Sequence, residues 1–281
     1  MQNLTSSYKS QAIGLEGVAN ARQLGSYVGA DGRRIKNGLL FRSGVLSAAT
    51  DSDKAILSEK YGLKYVYDLR TAIELKHEPD GTIPGAKYIN MPVEDADNNI
   101  WMKMFACDGA TQHDQLILFS HYEEAHRMVK KMYTGYVSDE FCQLQYAAFL
   151  DSLLRTEGPV LWHCAQGKDR TGLAAAFLLA ALGVDRETII MDYCLTNVPY
   201  QPTVDRLAER LKKQDAQNGV PYDVTIRAIE VIQAMEGVCV DFFIAALDYI
   251  DTIYGSMDRY LRTILALTDD EITFLRNKFL E

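Results

Sequence analysis

The sequence predicts an α/β protein whose C-terminal third is mainly helical. Three observations carry this. Segments rich in aromatic and β-branched residues alternate with helix-patterned ones between residues 39 and 182. From residue 185 onward the apolar positions recur at helical spacing only. One strand-like segment, 159–163, runs through a glycine-containing turn directly into an Ala/Leu-rich helix pattern at 173–182.

Taken in order, residues 1–12 are polar and read as a frayed arm. Residues 14–44 read as short β segments with turn chemistry, because Asp31-Gly32 and Asn37-Gly38 are hairpin-type dipeptides. A strand is expected at 39–41. Thr50 or Asp51 then caps a helix running to about Lys60. Strands at 63–69 and 87–91 flank a short helix at 71–77. Residues 94–120 have clustered Asp and Asn and few periodic apolar positions, the pattern of a long loop bordering a site. Helices follow at 121–136 and 139–156, then the strand at 159–163, the turn, and a helix from 171 that ends at Gly183. Further helices fit 185–197, 201–216, 222–236, 240–254, 256–266 and 269–279.

A chain of 281 residues, 48% hydrophobic, is long enough for one domain with a large insertion or for two domains. The net charge of −9 argues against general nucleic-acid binding and against coating of anionic membranes, so any phosphate site must be local. Five cysteines stand at 107, 142, 164, 194 and 239, without a CxxC pair, and suggest neither a disulfide framework nor a zinc site. His77, His113, His121 and His126 show no ligand spacing. The apolar run 238–254 is broken by Asp241, Asp248 and Asp251 on one helical face, which marks an amphipathic helix and no membrane span. Residues 1–10 show no secretory signal. A cytoplasmic location is the expectation, with export of a trimmed chain as the alternative.

Residues 163–172 read His-Cys-Ala-Gln-Gly-Lys-Asp-Arg-Thr-Gly. A cysteine with an arginine six positions on is a weak signal alone. At that offset the other four cysteines face His113, Ala148, Tyr200 and Ala245, so only Cys164 has one. The strand before, Gly167 within and Thr171-Gly172 after make the signal specific. Residues Ala165, Gln166, Gly167, Lys168, Asp169 and Arg170, wrapped between a strand end and a helix start, turn their N–H groups inward around a tetrahedral dianion. Arg170 grips two phosphate oxygens with its planar fork. The same amides favour a thiolate at Cys164, and Thr171 donates to that sulfur when it leaves. His163 orients the turn through its ring. The chemistry implied is attack of a cysteine thiolate on a phosphate ester, with a phosphate or sulfate ion as an expected occupant. No metal or cofactor is called for, because the amides and Arg170 stabilise the charge.

Three further stretches accompany this loop: Asn20-Ala-Arg22-Gln-Leu-Gly25, Leu40-Phe-Arg42-Ser43-Gly44, and Tyr67-Asp68-Leu69-Arg70 with Glu74. With them, and with the closing Tyr254-Gly-Ser256, the chain resembles the cysteine-dependent phosphatases, and more narrowly the atypical bacterial tyrosine phosphatases of the PtpB-like, triple-specificity type. The resemblance implies one phosphatase domain over 1–281, a mainly parallel central sheet flanked by helices, and a helical C-terminal lid. The amphipathic helices at 200–255 fit that lid and fit plain helical core equally well. It also implies that Lys168 adds positive charge for polyphosphorylated substrates and that Asp169 is the general acid. Asp68, Asp95 and Asp139 are the other carboxylates considered for that role. Asp68 also suits pairing with Arg70 or Arg42. Arg22, Arg42 and Arg70 either line the phosphate site or serve the structure.

Phosphotyrosine protein, phosphoserine or phosphothreonine protein and phosphoinositide all fit the resemblance as substrates. Two rival readings stand beside it: a rhodanese-like sulfurtransferase, which also opens an anion-binding loop on a cysteine, and a catalytically inactive phosphate-binding module.

Overall fold

The computed structural model describes residues 2–95 and 122–281. Five strands form one mixed sheet: β1 (Arg22–Gln23), β2 (Leu40–Ser43), β3 (Tyr65–Asp68), β4 (Lys87–Asn90) and β5 (Val160–His163), in the spatial order β1-β2-β5-β3-β4. β1 pairs antiparallel with β2, and the other pairings are parallel. The last strand in sequence thus sits at the centre, where burial on both faces suits its unbroken Val-Leu-Trp run. Parallel pairing gathers the chain ends after β2, β3, β4 and β5 at one edge of the sheet. That edge is where open α/β sheets place their ligands.

Twelve α-helices are found among the described residues. α1 is Gln2–Gln11, α2 Asp51–Ala55, α3 Ala72–His77, α4 Tyr122–Ser138, α5 Glu140–Arg155 and α6 Asp169–Ala181. α7 is Arg186–Cys194, α8 Asn197–Asn218, α9 Tyr222–Glu236, α10 Val240–Tyr254, α11 Met257–Thr263 and α12 Asp269–Phe279. α6 is buried almost all round, from Arg170 to Leu179, as expected of a helix apolar on every face. It packs on one face of the sheet in the main core, with Trp162, Phe149, Tyr146, Phe177 and Tyr193. A second core on the opposite face joins Phe41, Val66 and Leu161 to Leu57 and Leu63. A third and separate cluster, Val204, Leu211 and Ile232, lies between α8 and α9 alone.

Several sequence expectations change here. Residues 2–12 are no frayed arm: α1 is helical, and the Gln11 side chain donates to the Gly25 carbonyl at 2.9 Å. α8 begins at Asn197, earlier than the expected 201, with Pro199 at the third helical position, where the missing N–H has no intrahelical partner anyway. The helix from Asp51 widens into a single π turn over Ile56–Lys60. The hairpins expected between 14 and 44 reduce to the two-residue β1 and a turn at Asp31-Gly32, closed by the isolated bridge of Val28 with Arg34. The lid expectation over 200–255 divides. α10 lies in the main core through Phe242, Phe243, Ala246, Leu247 and Ile250, whereas α8 and α9 form a hairpin with a core of their own. Of the irregular stretch expected at 94–120, residues 96–120 lie outside the described residues, as do Cys107, His113 and His121.

Candidate active site

β5 ends at His163, and the chain turns through 164–168 before α6 starts at Asp169. Gly167 makes the turn possible twice over. Its φ of +66° is left-handed, and a Cβ there would lie 2.1 Å from the Ser43 carbonyl oxygen. The turn is held from behind by its carbonyls. The Ala165 oxygen accepts from the Val45 N–H at 3.0 Å. The Gln166 oxygen accepts from the Tyr200 hydroxyl at 2.9 Å and from the Asn20 amide at 3.2 Å. The Gly167 oxygen accepts from Asn20 at 2.9 Å and from Arg42 Nη2 at 2.8 Å. Because a trans peptide is planar, with its N–H antiparallel to its C=O, anchoring these three carbonyls outward turns the N–H groups of 166, 167 and 168 to the opposite side. Cys164 is buried just past the C-terminal end of β5, and α6 begins five residues on at Asp169.

Arg170, in the first turn of α6, is held by Glu74 in a two-pronged pair, Nη1 to Oε2 and Nη2 to Oε1, both 2.7 Å. Glu74 is the third residue of α3, where it also closes a capping box with Thr71. Burial pushes its carboxyl up, but the hydrogen bonds and charge of Arg170 outweigh this and bring it down to about 2. Arg170 in turn is held well above its ordinary range: burial works against its charge, and Glu74 and Glu94 overcome it. Asp169 accepts a short hydrogen bond from the Tyr133 hydroxyl, which lies 2.6 Å from the hydroxyl of Tyr193. The Thr171 hydroxyl is buried with no hydrogen-bond partner among the described residues. Lys168 does not project outward: it is buried, and its ammonium donates to the carbonyls of Met235, by a short bond, and Gly237, at 3.1 Å, at the end of α9.

The supporting residues separate into two braces. Behind the loop, Asp192 of α7 takes Arg22 Nε at 3.1 Å and Arg42 Nη1 at 2.5 Å, all three side chains being fully buried. Burial drives the Asp192 carboxyl up, and the two arginines more than reverse this. Arg42 falls to about 10 through burial and the neighbouring Arg22, against the attraction of Asp192. Beside the loop, Arg70 places Nη2 on Asp68 Oδ2 at 2.7 Å and Nη1 on the Glu78 carbonyl at 2.7 Å. Asp80 lies 3.0 Å from the same guanidinium and 3.1 Å from His163 Nε2, while His163 Nδ1 lies 3.2 Å from the Cys164 carbonyl oxygen.

Of the two readings open for Arg22, Arg42 and Arg70, their hydrogen bonds describe bracing: Arg22 and Arg70 are taken by Asp192 and Asp68, and Arg42 meets the turn only at its carbonyl side, on Gly167 and Lys168. Asp68 pairs with Arg70, and Asp139 caps α5 by accepting from Cys142 N. Sequence reasoning missed Asp192, Asp80, Glu94 and Tyr133. Asp192 carried one signal, an acid between Met191 and Tyr193 in a helix otherwise packed on the core. Asn20 carried another, since asparagine tolerates its φ of +60° and here aims its amide at the loop.

A family model for tyrosine phosphatases matches residues 13–281. The chain belongs to the tyrosine phosphatase family. It is 29% identical over 246 residues to the triple specificity protein phosphatase PtpB of Mycobacterium tuberculosis, covering 81% of this chain and 86% of that protein. It is also 29% identical over 270 residues to a Cupriavidus necator protein that carries a tyrosine-protein phosphatase name, covering 95% and 88%. A tyrosine-protein phosphatase of Nostoc commune matches over 155 residues at 26% identity, covering 55% of this chain and 47% of that protein. Among the described residues no helix is long and apolar enough to cross a membrane.

Proposed function

We propose that this family member hydrolyses phosphotyrosine in proteins through a phosphocysteine intermediate. The observation that supports it best is the outward anchoring of the Ala165, Gln166 and Gly167 carbonyls, which turns the N–H groups of 166–168 to the other side of a turn that opens on Cys164 and closes on a guanidinium oriented by Glu74. A phosphate dianion settles in that cradle and takes the remaining N–H groups of Arg170. Cys164 Sγ attacks phosphorus in line. The S–P bond forms, the ester P–O bond breaks, and Asp169 delivers a proton to the departing phenolate oxygen. Water then attacks phosphorus, Asp169 takes a proton from it, the S–P bond breaks, and Thr171 donates to the released sulfur. The setting is the cytoplasm, where a nucleophilic thiol stays reduced.

Activity on phosphoserine, phosphothreonine or phosphoinositide is a second reading, favoured by the name of the mycobacterial relative. Lys168 contributes charge to such substrates only if its ammonium leaves the α9 carbonyls. The α8–α9 hairpin, joined to the loop by Lys168 and Tyr200, is the proposed lid.

The test is hydrolysis of p-nitrophenyl phosphate in EDTA by the protein and by Cys164→Ser. Turnover by the first, and its loss with retained phosphate binding in the second, is expected. A variant with full activity would sink the mechanism. Cyanide-dependent turnover of thiosulfate would point to sulfur transfer, and anion binding without turnover in the unaltered chain to an inactive module. A kcat/KM panel of phosphopeptides and phosphoinositides ranks the substrates.

A further inference from the structure

A second carboxyl group stands at the loop and takes no part in the braces. Glu94 follows β4, where the chain runs along the end of β3 through the bonds Met91 N–H to Asp68 O at 2.7 Å and Val93 N–H to Leu69 O at 3.2 Å. This places it at the sheet edge that carries the cysteine loop. It is 5% exposed, and neither carboxyl oxygen has a hydrogen-bond partner among the described residues. Oε2 lies 3.4 Å from Arg170 Nη1. The other titratable groups around it are Glu74 on α3, Tyr136 on α4, Cys142 on α5 and Asp169 at the start of α6.

A buried carboxylate with no hydrogen bond is costly, and the ordinary remedy is to satisfy it or neutralise it. The fork of Arg170 already belongs to Glu74. A charged Glu94 would leave that guanidinium shared by two carboxylates, with Asp169 alongside, before a dianion arrived. Burial works in the opposite direction and raises the Glu94 carboxyl, with Arg170 and the nearby Tyr136 hydroxyl only partly offsetting it. A carboxylic acid kept neutral near a developing negative charge is a hydrogen-bond donor.

We propose that Glu94 is a phosphate-binding residue that works as a neutral acid, its O–H donating to a phosphoryl oxygen held on Arg170. This rests on the phosphatase reading and adds to it a binding group outside the cysteine loop. Two carboxyl groups then serve one guanidinium in different states. Glu74 is ionised and orients it. Glu94 is protonated and shares its ligand. When Glu94 ionises, it loses the donor and repels the dianion, so anion binding weakens as pH rises.

The experiment measures sulfate binding by calorimetry from about pH 5.5 to about pH 8.5, across which sulfate stays a dianion. The full chain carries Cys164→Ser, so that no thiol titrates in the site. In this background affinity should fall at least about tenfold with rising pH, as one unit of coupling implies. With Glu94→Gln added, a neutral donor of the same shape, affinity should stay within about twofold across the range. Glu94→Ala should bind weakly at every pH, since the donor is gone. An equal fall with and without the Glu94→Gln substitution overturns the assignment, as does an alanine variant that binds as tightly as the glutamine one. Absence of sulfate binding in Cys164→Ser at any pH would instead overturn the phosphatase reading and this one with it. Thermal melts give a second readout. A carboxyl raised by folding contributes stability below its unfolded value and loses it as pH rises through the folded one. The melting temperature of Glu94→Gln should therefore gain on the unaltered protein as pH increases, and a constant difference would contradict a neutral Glu94.

Discussion

The cysteine loop has two sides, and both are built from arginine and carboxylate. Behind it, Asp192 takes Arg22 and Arg42, all fully buried; further N–H groups go to Asn20 and to the Asp192 and Gly167 carbonyls, and Arg42 Nε has no partner among the described residues. In front, Arg170 meets Glu74, a quarter exposed, by its two terminal nitrogens, with Glu94 Oε2 3.4 Å from Nη1. The chemistry of the pairs is alike, but their position and exposure are not. The rear pair is sealed from solvent and bonds the loop's own Gly167 carbonyl, so it serves as a clamp. The front pair stands at the helix end of the loop with a partly exposed carboxylate, which suits the proposed receptor role. The contrast between the two pairs lies in where their partners stand.

The contrast is most severely tested at Asp192. Asp192→Asn leaves two buried arginines without their counter-charge and should cost about 3–5 kcal/mol of stability. Urea unfolding measures it, and a loss under about 1 kcal/mol would mean that the rear brace is dispensable. In front, Arg170→Lys keeps the charge and removes the fork. It should lower kcat/KM on p-nitrophenyl phosphate by about 100- to 1000-fold. A small kinetic effect there would erase the distinction between receptor and clamp.

Glu74 gives a pH signature. Its folded value near 2 lies below the ordinary 4.5, so its contribution is present above about 4.5 and vanishes as pH falls toward 2. Glu74→Gln should cost about 3 kcal/mol near neutrality and progressively less in acid. Chemical denaturation of both proteins at matched pH values reads the difference. The smallest expected effect is at Lys168. Lys168→Met frees the carbonyls of Met235 and Gly237, and its global cost should be about 1 kcal/mol. Hydrogen exchange should quicken selectively in α8 and α9, while the amides of α6 keep their protection. Uniform quickening would show that the hairpin is not a separable unit.

Much of the fold was legible because its signals are local. β-branched and aromatic runs marked β3 and β5, and Thr50 and Thr71 announced helix starts that the structure closes as capping boxes. α1 was not legible, since its polar sequence has no strong periodicity and its anchor, Gln11 on Gly25, is tertiary. Pro199 and Pro202 obscured the start of α8. At the site, the spacing of Cys164, Gly167 and Arg170 sufficed to name the loop. The braces were harder, because Asp192 lies 170 residues from Arg22 and 150 from Arg42 and no short pattern joins them. Glu94 fell at the head of a stretch that read as irregular loop.

What the chain determined by itself was the kind of chemistry. A strand, a turn with one left-handed glycine, and a helix start carrying Cys164 and Arg170 are written within ten residues, and that local pattern is what pointed to thiol chemistry on a phosphate ester. What only the tertiary structure decided was the allocation of charge. Whether Arg22, Arg42, Arg70, Lys168 or Arg170 faces a substrate depends on which carboxylates and carbonyls converge from distant strands and helices. Hydrogen-bond saturation is a property of that three-dimensional convergence and leaves no periodic trace in sequence.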